Sequence, residues 1–169
     1  MSQDLFSIED AAKCLFTFLK SLGPTTSTQR ASVVGFPPPE LIDDELGFLR
    51  LFVIMFCLKF THRPMWRAHG QDVWDMFTRM ILRGLERHDP KMALQVFEHR
   101  MASYGSCIND TALTHNSAVT EAALGLAFSV NCGLAGNPIL CGVGAADFTC
   151  TFDAVEAFFA EHNLCVQRT

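Results

Sequence analysis

Ile8, Ala11, Ala12, Leu15, Phe16, Leu19 and Leu22 recur three or four residues apart, the spacing that gathers side chains on one face of an α-helix. Ser7, with an acid three positions later at Asp10, supplies a cap, and Gly23-Pro24 a stop, so the first helix is predicted over 7–22. Residues 24–39 have no sustained period and are rich in Thr, Ser, Gly and Pro, which predicts a long surface loop.

A second helix is predicted from Pro39 or Glu40. Its first turns carry Glu40, Asp43, Asp44 and Glu45, and its end carries Lys59, His62 and Arg63, the order that suits a helix dipole. From Leu46 to Phe60 it is apolar nearly all round, interrupted by Gly47, Arg50 and Lys59, as expected of a central helix covered on several sides. A buried strand is the competing local reading of so short an apolar run.

After Pro64, a stripe of Trp66, Val73, Trp74, Phe77, Met80, Ile81 and Leu85 predicts a helix over 66–87. Asp89-Pro90 starts a fourth over 90–104, with Ala93, Leu94, Phe97, Met101 and Tyr104 inward and Gly105 as its stop. Asn116 or Ser117 caps a fifth over 117–132, expected to bury Val119, Ala122, Ala123, Leu126, Ala127 and Val130 and to end at Gly133 and Gly136. A last helix is predicted over 152–162 behind Thr151, with Phe152, Val155, Phe158 and Phe159. The stretch between is read as a glycine-rich loop holding Gly142 and Gly144. The expected fold is all-α, a compact single domain over 1–169 of about six helices around a central apolar helix.

Composition changes this picture in two ways. Hydrophobic residues make up 49% and charged residues 18%, below the usual quarter, so the apolar content exceeds what a small domain readily hides and points to a partner interface. The net charge of -5, with basic residues scattered along the chain, argues against nucleic acid as a direct partner. No transmembrane span is expected. The run around 46–60 is short and holds Arg50, while the uncharged stretch between Glu121 and Asp147 is broken by Asn131, Gly133, Gly136, Asn137 and Pro138.

Candidate chemistry adds little. The seven cysteines form no Cys-x-x-Cys pair, and the histidines form no spaced ligand set, so neither metal nor cofactor is expected. Glu98-His99 and Glu161-His162 are adjacent on helices and point apart. The chain is therefore read as a non-catalytic protein-binding factor. Phe48, Phe52, Trp66 and Trp74 are its candidate partner-binding residues, because aromatics and Met supply adaptable contact area at such surfaces. A thiol-dependent hydrolase or redox protein using Cys107 or Cys132 with a distant histidine is one alternative, and a cytosolic helical adaptor or effector is another.

One resemblance gives a direction. The order of Phe48-Leu49-Arg50-Leu51-Phe52-Val53, Trp74-Asp75-Met76-Phe77, Met80, Leu85-Glu86, Ser103-Tyr104-Gly105, Ala122-Ala123-Leu124-Gly125-Leu126 and Val155-Glu156-Ala157-Phe158-Phe159 resembles the ubiquinol–cytochrome c chaperone family. These are α-helical assembly factors for cytochrome b in mitochondria and proteobacteria. The resemblance implies a mitochondrial location, an assembly or accessory-subunit role, and a membrane-protein complex or the mitoribosome as partner. A cytoplasmic location is the alternative, since Asp4, Glu9 and Asp10 make the first residues unlike an acid-poor presequence.

Overall fold

A computed structural model describes residues 5–22, 37–85, 90–108 and 117–164. These hold six helices and one two-residue strand pair: β1 (Leu5–Phe6), α1 (Ile8–Ser21), α2 (Pro39–Phe60), α3 (Pro64–Leu85), α4 (Pro90–Ser106), α5 (Ser117–Asn131), α6 (Pro138–Glu161) and β2 (Asn163–Leu164). The all-α reading holds. The predicted loop over 24–39 lies outside the described residues through position 36, as do Asp89 and Asn116. The chain divides into two units, one of residues 1–22, 54–95 and 152–169, the other of 23–53 and 96–151. Both α2 and α6 contribute residues to each.

In the first unit, the Ser7 cap forms as predicted. The Asp10 backbone N–H donates to Ser7 Oγ at 3.1 Å, and the Ser7 hydroxyl donates to the Asp10 carboxylate at 2.6 Å. Ala11, Ala12 and Leu15 of α1 are buried, together with Trp66, Val73 and Phe77 of α3 and Val155 and Phe159 of α6. Trp66 sets the packing. Its ring stacks on Phe159 with centroids 4.4 Å apart, and its indole N–H donates to the His162 carbonyl at 2.8 Å, so a large apolar side chain is buried without an orphan donor. Phe18 of α1 and Phe56 of α2 meet Phe158 and Phe152 of α6. Pro64 does not precede α3 but opens it, since a first-turn residue needs no N–H. β1 and β2 pair in parallel, Leu5 with Asn163 and Phe6 with Leu164.

In the second unit, α2, α4, α5 and α6 supply the core, with Ile42, Leu46, Leu49 and Phe52 buried beside Tyr104, Leu124, Phe128, Leu140 and Val143. The last helix corrects the sequence reading. It begins at Pro138, not near 152, because Asn137 Oδ1 accepts the N–H groups of Ile139 and Leu140 and Pro138 takes the first helical position. This is the same signal that Asp89-Pro90 gave for α4. Gly142 and Gly144 are therefore helical, and Gly144 lies where a Cβ would come within 2.6 Å of Phe128 Cβ, so α5 and α6 approach closely at a glycine. The turn between them uses Gly133 and Gly136 at positive φ, 81° and 74°, the backbone region that side chains disfavour. Within the first unit α6 meets α1, α2 and α3, and within the second it meets α2 and α5. The helix expected to be covered on several sides, α2, is the more buried of the two.

The predicted inward face of α5 is also corrected, except at Ala127, which is buried as expected. Val119, Leu126 and Val130 are 53%, 49% and 50% exposed, and Ala122 is exposed on the same side, while Thr120, Leu124, Ala127 and Phe128 are buried. A helix apolar all round has no face that its pattern singles out. Close approach at Gly125, whose added Cβ would collide with the Cys141 carbonyl, turns the opposite side inward. In α4, Leu94 is exposed, whereas Phe97 and Tyr104 are buried as expected. Gly105 does not stop that helix, which runs on to Ser106.

Candidate functional site

Two buried ionic groups hold the second unit. Arg50 donates twice to Asp147, from Nη2 to Oδ1 at 2.6 Å and from Nε to Oδ2 at 3.0 Å, joining α2 to α6. One helical turn and a residue earlier on α2, the buried carboxylate of Glu45 accepts from the Tyr104 hydroxyl at 2.6 Å and pairs with Arg100 Nε at 2.7 Å. The Ser103 hydroxyl donates to Asn131 Oδ1 at 3.2 Å, bringing α5 into the same group. Sequence reasoning missed both groups. Their signal was present: Arg50 is a lone cation inside an apolar run, and Asp147 is the first charge after a long uncharged one. Buried charges of opposite sign in two apolar helices are stable only when paired.

Burial in this arrangement favours the protonated forms of Tyr104 and Cys132. Burial, then the Glu45 charge and the Glu45 hydrogen bond, raise the Tyr104 phenol well above its ordinary range. Burial and the Glu45 charge push the Cys132 thiol up to about 12, against an opposing effect of Arg100. Cys57 is raised by burial and by Glu156. Such thiols are almost wholly protonated at neutral pH, the opposite of an activated nucleophile. Cys107, the other thiol named above, is half-buried, with its Sγ 3.4 Å from the Ser103 carbonyl. Glu98 and His99 are both exposed, and among the described residues no group of three His, Cys, Asp or Glu side chains converges as a metal site.

The surface is more informative. Of the four predicted partner-binding residues, Phe52 and Trp66 are fully buried and belong to the core, because each fills space beneath a crossing helix; Phe48 and Trp74 are half-buried. The exposed apolar side chains lie elsewhere. Val119, Ala122, Leu126 and Val130 form one stripe along α5, at steps of three and four residues, and Ile139 in the first turn of α6 is 44% exposed. Met92, Leu94 and Val96 of α4 are exposed as well. Comparison of the chain with family models, with curated proteins and with solved structures gave no match. Among the described residues one helix, α6, is long and apolar enough to cross a membrane, with 39% of that apolar window buried within the fold and Asp147 held there by Arg50.

Proposed function

We propose that this chain is a non-catalytic protein-binding factor that meets its partner through the outward stripe of α5. The single observation that carries the reading is that stripe: half-exposed Val119, Leu126 and Val130 on one face of a helix whose other face is already packed. An exposed apolar row of this kind costs solubility unless something covers it. The buried, raised thiol of Cys132 weighs against that residue as the nucleophile of a thiol enzyme. We further propose that the partner is a mitochondrial membrane-protein complex or its synthesis machinery, which the chain serves as assembly factor or accessory subunit. The order of helical segments that resembles the ubiquinol–cytochrome c chaperones supports this part.

Affinity purification from native cells tests both parts. The expected result is co-purification of respiratory-chain or mitoribosomal proteins, lost on Leu126→Glu while the melting temperature is retained. Leu126→Ala is expected to weaken the complex by about 2 kcal/mol, the scale of a hot spot. Recovery as a free cytosolic monomer overturns the mitochondrial role, and a complex indifferent to Leu126→Glu overturns the α5 interface.

A further inference from the structure

Where α3 crosses the end of α2, Gly70 lies against the Leu58 carbonyl so closely that a Cβ would collide with it. Beside this crossing is an open cleft of about 280 Å³. Buried Leu58 and half-buried Met55 give it an apolar floor, and the half-buried indole of Trp74 forms part of its wall. Exposed Lys59 and Arg67 bring two cations from different helices to its edge. Among the described residues, neither has a carboxylate within ion-pair distance. The nearby acids of α3 are engaged: Asp75 accepts from Gln71, itself a lining residue, at 2.7 Å, and Asp72 lies 3.6 Å from His69.

An apolar floor, an aromatic wall and two cations without a carboxylate partner, Lys59 lying over the Phe60 ring at 5.4 Å, suit a ligand with the opposite division, one anionic end and one apolar body. We propose that this cleft binds a small anionic amphiphile, a carboxylate on a short acyl chain. The volume lies just below the usual range for ligand pockets, about 300–1,000 Å³, which fits a short chain and not a whole phospholipid. The site is separate from the α5 stripe and does not depend on the protein-binding role.

The test uses octanoate as the probe, titrated calorimetrically into the full chain with tryptophan fluorescence as a second readout. Saturable one-to-one binding is expected, with octanol, which has the chain without the charge, and acetate, which has the charge without the chain, each at least about tenfold weaker. The Lys59→Gln/Arg67→Gln variant, altered at exposed positions and checked for an unchanged melting temperature, is expected to lose about tenfold in affinity or more, the scale of a charge-assisted hydrogen bond. Absence of saturable binding, equal binding of octanol and octanoate, or full retention of affinity in the double variant each overturns the proposal.

Discussion

Arg50 holds Asp147 in a two-point grip, with the aspartate fully buried and the arginine 9% exposed. Thr151 Oγ1, 3.4 Å away, is a further donor to the same carboxylate. Removing one partner leaves a buried charge without compensation, so Arg50→Met is expected to cost about 3–5 kcal/mol in urea unfolding. The double variant Arg50→Met/Asp147→Leu, which removes both charges, is expected to recover most of that loss. A double variant as unstable as the single one would show that the pair's geometry, and not charge burial, dominates.

Two glycines in one helix should respond in opposite directions to alanine. Gly142 has open space where a Cβ would stand, so Gly142→Ala is expected to stabilise by about 0.5–1 kcal/mol through helix propensity alone. At Gly144 the new methyl group meets Phe128, and Gly144→Ala is expected to destabilise by about 1–3 kcal/mol. Thermal unfolding midpoints of the two variants check the sign at each position.

Stability should fall in alkali. In the fold, Tyr104 keeps its proton beyond its ordinary value of 10.0, chiefly because it is buried, whereas the unfolded chain releases it near that value. The native state then binds more protons than the unfolded one, and unfolding becomes easier as pH rises past 10. Cys132 acts in the same sense from 9.0 up to about 12. Tyr104→Phe is expected to make the decline above pH 10 shallower in a series of chemical denaturations, while costing about 1.5–3 kcal/mol at neutral pH for the lost bond to the Glu45 carboxylate.

Alkylation of the native chain should rank its thiols by exposure. Among the cysteines of the described residues, Cys150 is exposed and is expected to react first with iodoacetamide, while buried Cys57 and Cys132 react only after unfolding. Peptide mapping over time reads the order. Faster modification of Cys132 than of Cys150 would revive the thiol-enzyme alternative.

Helix existence was legible because caps and stripes agreed. Ser7 and the α1 stripe placed that helix to within a residue at each end, and α2, apolar enough to be mistaken for a strand, was rescued by the order of its charges. The start of α6 was missed although Asn137-Pro138 is a start signal, since the glycines that follow suggested a loop, and packing against Phe128 accounts for Gly144 alone. The buried side of α5 was not legible, because both of its sides are apolar and a tertiary contact at Gly125 decides between them. Phe52 and Trp66 were likewise ambiguous: aromatic content marks contact area without saying whether the contact is internal. The cleft beside Trp74 could not be read at all, since Lys59 and Arg67 meet only where two helices cross.

The first unit is stitched from three stretches of chain far apart in sequence. On the ribosome α1 and α3 emerge while α6 has yet to be made. Until it is, Trp66 has neither the ring of Phe159 to stack on nor the carbonyl of His162 to receive its N–H, and β1 has no strand to pair with. Contacts of such long range make closure of this unit a late event of biosynthesis. A nascent chain stalled before α6 therefore displays aromatic surface to whatever chaperone is at hand.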